Sequence, residues 1–200
     1  MRIAVLASGS GTNLQALIDA ARDSRLGTGE IVLVASDRPT APALDRARAA
    51  GIATIALPAD PGEPREAYDV RLRDAVAEHH PDLVVLAGWM RILSTVFVHA
   101  HRCINLHPAR PGELPGIRAI ERAHAEFVDG QRTLSGVMVH EVPDDGVDSG
   151  PVLASVDVAL ADGDTLEMFA ARMHDAEHRL LVDTVARICT PLPDPTGEPR

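Results

Sequence analysis

The 200-residue sequence contains no lysine: all 19 of its basic residues are arginine, set against 29 acidic residues, for a formal net charge of −10. A chain so acidic and without a basic run offers no concentrated cationic face, which excludes nucleic acid as a partner. A small anion held in a focused pocket remains open. Cysteine is nearly absent as well. Cys103 and Cys189 are the only two and lack CxxC spacing, so they support neither a disulfide framework nor a cysteine zinc site. No apolar run approaches the ~20 residues of a membrane span. The N-terminal "MRIAVLASGSG" has only a few apolar residues before glycine and serine, too few for a signal peptide. A cytoplasmic protein with no membrane partner is expected, as a monomer or homodimer.

What is present is a length and a 46% hydrophobic content sufficient for one domain with a full core. That domain is expected over residues 1–190, in two halves meeting near residue 103, with "PLPDPTGEPR" (191–200) as a flexible tail. Short runs rich in Val, Ile and Leu ("RIAVLAS", "EIVLVASD", "ATIALP", "LVVLAG") alternate with amphipathic helical stretches ("TNLQALIDAARDSRL", "APALDRARAAG", "REAYDVRLRDAVAEHH"). Runs apolar at every position belong to strands covered on both faces, so the fold class is α/β with a doubly wound, mostly parallel sheet. Beyond residue 104 the pattern changes. "TLSGVMVHEVP" and "PVLASVDVAL", joined by the acidic "DDGVDSG", predict an antiparallel or mixed addition to the sheet. A long helix over 165–189 closes the chain, with Asp164 as its expected N-cap and Glu167 at capping-box spacing.

Two stretches carry chemistry. In "ASGSGTNL", Gly9 and Gly11 allow a tight turn, and the amides of Gly11, Thr12 and Asn13 fall where a helix N-terminus receives an anion. Leu14 stands where the dinucleotide fingerprint needs a third glycine and the Walker lysine is missing, so a single phosphate monoester fits better than NAD or ATP. Taken alone, the loop also fits a plain βα turn. In "INLHPARPG", Asn105 and His107 are two apart on a strand and share one face. With Asp148 from "VDSGP" they would place an amide donor, an imidazole and a carboxylate at the carboxyl ends of the strands, a set suited to acyl transfer. The amide and the protonated imidazole are expected to stabilise the oxyanion of a tetrahedral intermediate, and the carboxylate to raise the pKa of the imidazole and relay protons. Alone, His107 is as well read as capping its strand. His79 and His80 fall at a helix end, and His99 with His101 has no third ligand at metal spacing; no metal site is expected.

"SGSGTNLQAL", "PDLVVLAGWMRIL", "INLHP" and "VDSGPVL", in this order and at these separations, resemble the phosphoribosylglycinamide formyltransferases, folate-dependent enzymes of purine synthesis. The resemblance runs from Arg2 to about residue 185 and implies a Rossmann-like formyltransferase fold, with a phosphate-binding first half and a folate-binding, catalytic second half. By it, Asn105, His107 and Asp148 match the catalytic residues, and Gly11, Thr12 and Asn13, with Ser10 beside them, match the loop for the substrate phosphate. Glu177 matches a contact to the same 5′-phosphoribosylglycinamide. Trp89, Met90, Arg91, Ile92 and Leu93 match the pterin pocket of the co-substrate 10-formyltetrahydrofolate, and Arg65 a residue near its glutamate tail. Ala109 and Arg110 depart from a usual serine and leucine, and "EVPDDGV" is one residue longer than the usual spacing. The alternatives are a related folate enzyme, either a formyltetrahydrofolate hydrolase or a formyltransferase on another amine, and a non-catalytic nucleotide-binding domain.

Overall fold

Seven strands share one sheet in the computed structural model, which describes residues 1–190. They are β1 (Arg2–Leu6), β2 (Glu30–Ser36), β3 (Ala53–Ala56), β4 (Leu83–Leu86), β5 (Cys103–His107), β6 (Leu134–Glu141) and β7 (Val152–Ala159). Their order in space is β3-β2-β1-β4-β5-β6-β7; neighbours among the first five are parallel, and β6 and β7 are added antiparallel. The doubly wound sheet with an antiparallel extension is therefore as the hydrophobic pattern predicts.

The uniformly apolar strands follow from two-sided cover, since successive side chains point to opposite faces. Ile3 and Val5 join one core with helices α1 (Thr12–Arg22), α2 (Pro42–Ala49), α5 (Ala119–Val128) and α6 (Leu166–Cys189). Ala4 and Leu6 join the other, beneath α3 (Arg65–Ala77) and the short α4 (Thr95–Val98). From β1 the chain winds outward through β2 and β3, then returns to β4 on the other side. The crevice between the carboxyl ends of β1 and β4 is thus the switch point where such sheets hold ligands.

Several expectations are corrected. The α6 cap is Thr165, not Asp164: Thr165 Oγ1 accepts from the Met168 N–H at 3.2 Å. Asp164 instead pairs with Arg172 and accepts from the Ala161 N–H, contacts that hold its carboxyl at about 2. Helix α3 stops at Ala77, which leaves His79 and His80 beyond it, His80 in the left-handed region. Helix α5 was not foreseen. Its fully buried face consists of two alanines, Ala119 and Ala123, and it starts at Arg118 without a side-chain cap. The expected flexible tail lies outside the described residues. Among the described residues, no helix is long and apolar enough to cross a membrane.

Candidate active site

The loop after β1 supplies one wall of the crevice. Gly11 has φ +71°, and a Cβ there would stand 2.7 Å from Ala43 Cα, so glycine is required. Gly9 adopts no such conformation, and a Cβ there would meet nothing within 4 Å. Gly11 is also the N-cap of α1 and offers no side chain to it, which leaves the first amides of the helix free for an outside acceptor.

Strand β5 brings its two polar side chains to the other wall. Asn105 Nδ2 donates to Asp148 Oδ1 at 3.0 Å, and His107 Nδ1 stands 3.3 Å from Asp148 Oδ2. The same Oδ2 accepts from the Gly116 N–H at 2.8 Å. Asp148 itself has φ +51°, a backbone conformation that aspartate tolerates better than most residues and that aims its carboxylate back at β5. Burial alone would raise its pKa; the His140 ring, the Gly116 N–H and His107 outweigh that, and the carboxyl is held below its ordinary value.

His107 is nearly fully buried, and its Nε2–H donates to the Leu114 carbonyl at 3.0 Å. Desolvation pulls its pKa down, against the upward push of Asp148. The expected effect of the carboxylate is present, but burial exceeds it, so the net direction is opposite to the one expected from sequence. His140, across from Asn105 in the β5–β6 ladder, belongs to the same cluster and was missed. Its Nδ1–H donates to the Glu141 carbonyl at 2.8 Å, and its Nε2 faces Asn105 Nδ2 at 3.2 Å and Asp148 Oδ1 at 3.5 Å. The available signal was register: an imidazole at the end of a strand antiparallel to the "INLH" strand.

The segment 88–94 after β4 forms the side wall and is tied at both ends. Ser8 donates its N–H to the Gly88 carbonyl and accepts the Met90 N–H on Oγ, both at 3.0 Å. Further on, the fully buried Asp69 accepts the Ser94 N–H at 2.6 Å. Between these ties Arg91 lies over the Tyr68 ring, 4.2 Å from its centroid, while Met90 and Ile92 are exposed to the cleft. Trp89 is both core and lining: it packs with the α3-side core, and its buried Nε1 has no partner.

The cleft gathers Asn13, residues Trp89 to Leu93, Asn105, His107, Asp148 and Glu177. Ser10, Gly11 and Thr12 stand on the adjoining loop rather than in its lining. Arg65 is not in the lining either; it pairs with Asp145 of the long 142–150 loop at 2.8 Å. Arg110 turns away to Asp157 and Glu113, which leaves it no part in the cleft. Glu177 reaches the cleft from α6 beside Asn13. Its burial raises the carboxyl to about 7, although the Asn13 side chain acts in the opposite sense.

Comparison with known proteins shows the family. Residues 1–185 match the formyl transferase family. A phosphoribosylglycinamide formyltransferase of Dictyostelium discoideum is 39% identical across 94% of this chain and 98% of its own length, and one of Escherichia coli is 40% identical across 90% and 83%. The crystal structure of a phosphoribosylglycinamide formyltransferase from Bacillus halodurans superposes with a TM-score of 0.87 at 34% identity, covering 94% of this chain and 95% of that one. Sequence, fold and relatives converge: the chain belongs to the formyl transferase family and, within it, to the phosphoribosylglycinamide formyltransferases.

Proposed function

We propose that this cleft transfers the formyl group of 10-formyltetrahydrofolate to the amine of 5′-phosphoribosylglycinamide by direct amine attack, in residues 1–190 acting as one cytoplasmic domain. The observation that carries the reading is the convergence of Asn105, His107 and Asp148, with contacts of 3.0 and 3.3 Å, at the carboxyl ends of the strands. The ribonucleotide phosphate sits on the amides of Gly11, Thr12 and Asn13 beside Ser10, and its ribose reaches Glu177. The pterin lies along Trp89 to Leu93, whose apolar side chains and backbone groups suit a flat heteroaromatic ring with polar edges. Arg65 meets the glutamate tail once Asp145 yields.

Attack on the formyl carbon builds negative charge on its oxygen, moves a proton off the amine, and returns one to the departing nitrogen. Asn105 supplies an N–H to the oxyanion by turning the donor that rests against His140, the longer of its two contacts. With Nε2–H spent on Leu114, His107 takes a proton at Nδ1, where Asp148 stabilises the imidazolium. Asp148 relays the proton between amine and leaving group. Purified protein mixed with 10-formyltetrahydrofolate, with and without the ribonucleotide, tests the reading through folate absorbance. Turnover only with the ribonucleotide is expected. Turnover without it would indicate a hydrolase, and none in either case would overturn the enzymatic reading.

A further inference from the structure

Arg46, on α2, is a cation that the mechanism above leaves unused. Its Nε donates to the Ser10 carbonyl at 2.8 Å, and its Nη1 donates to Gln15 Oε1 at 3.1 Å. Gln15 is in turn held by Asp19, to which its Nε2 donates at 2.9 Å. Asp45 and Arg48 on the same helix pair with one another, but Arg46 pairs with no carboxylate among the described residues. An arginine fork fixed on two neutral oxygens keeps its full charge uncompensated.

The direction of the loop carbonyls gives that charge a purpose. The Gly9 carbonyl accepts the Ala43 N–H at 3.2 Å, and the Ser10 carbonyl accepts Arg46. Two successive carbonyls therefore face α2. In a trans peptide the N–H points opposite to its C=O, so the Ser10 and Gly11 amides turn away from α2, toward the open start of α1. Arg46 thus clamps the peptide that presents the Gly11 N–H, and hydrogen bonding to its carbonyl polarises that N–H further.

We propose that Arg46 is the positioning residue of the phosphate subsite. It fixes the Gly11 amide on the phosphate from behind the loop, and it adds a positive charge for a dianion entering a chain of net charge −10. The inference rests on the reading of loop 10–13 as the phosphate site and goes beyond it by assigning a residue that touches no substrate.

Steady-state kinetics on the intact enzyme test it, with ribose 5-phosphate as competitor against the ribonucleotide. In Arg46→Gln the KM for the ribonucleotide and the inhibition constant of ribose 5-phosphate are expected to rise together by about tenfold, the scale of one lost charge-assisted hydrogen bond. The KM for the formyl donor and kcat should stay within about twofold, and Arg46→Lys should recover part of the loss by restoring charge without the fork. A ribonucleotide KM unchanged in Arg46→Gln, or one that rises in step with the donor KM, overturns the proposal. If the wild-type enzyme itself is insensitive to ribose 5-phosphate, the phosphate-loop reading fails, and this proposal with it. Sensitivity in the wild type that persists undiminished in the variant removes the proposal alone.

Discussion

His107 has both ring nitrogens committed, one to a backbone carbonyl and one to Asp148, and this decides which variants are informative. His107→Ala removes the proposed proton acceptor without touching the glycine loop, so turnover should fall ~10²–10⁴-fold, the span of general acid–base catalysis, with ribonucleotide affinity retained in calorimetric titration. Asp148→Asn is the cleaner companion, because asparagine accepts the same left-handed backbone; a comparable loss there separates charge from loop shape. Glu177 yields a prediction in pH. Its folded-state pKa of about 7 lies above the ordinary 4.5, so the native protein holds an extra proton between those values and loses stability as pH rises through that window. Glu177→Gln, neutral throughout, lacks this contribution. Across the window, its unfolding free energy from urea titrations should improve relative to wild type by on the order of 3 kcal/mol; parallel curves would refute the assignment. Asn105 and His107 were legible because strand alternation puts them on one face, and Asp148 because "DSGP" marks the loop. The net pKa direction at His107 was not legible. It depends on how much water the folded cleft excludes, which no local spacing encodes.

At the scale of elements, the 88–94 segment owes its shape to residues distant in the chain. Ser8 holds it from the loop after β1, and Asp69 from α3. Ser8→Ala keeps the N–H bond to Gly88 but strips the Met90 N–H of its acceptor, a loss of about 1–3 kcal/mol where the group stays buried. Since Met90 lies on the wall proposed to hold the formyl donor, the variant should raise the formyl-donor KM severalfold, and Ser8→Thr should recover it; unchanged donor kinetics would make the tie purely structural. The strands and helices of the first half could be read because long apolar runs and helical periodicity are strong signals. Helix α5 escaped notice because alanines form its buried face and "PARPGELPG" precedes it. The cap of α6 was displaced by one residue because two adjacent side chains can each cap, and the Asp164–Arg172 pair decides between them.

Over the whole molecule, α6 ties the two halves together by packing on α1 and α5 as well as on β6 and β7. Phe169 is its fully buried anchor near the start, stacked toward His124 of α5. Phe169→Ala should cost about 3–5 kcal/mol. Because the helix spans both halves, that loss should appear as one earlier unfolding transition, coincident by circular dichroism and fluorescence. Two separated transitions would show the halves melting independently. Trp89 is the only tryptophan in the chain, so emission excited beyond the absorption of Tyr68 has a single source. Its indole is shared between the hydrophobic interior and the wall of the cleft, so one emission band should respond to two equilibria, chain unfolding and occupancy of the wall proposed to hold the formyl donor. Titrating the formyl donor at a fixed, partly denaturing urea concentration would therefore read binding and its linked stabilisation from one optical signal, without an attached dye.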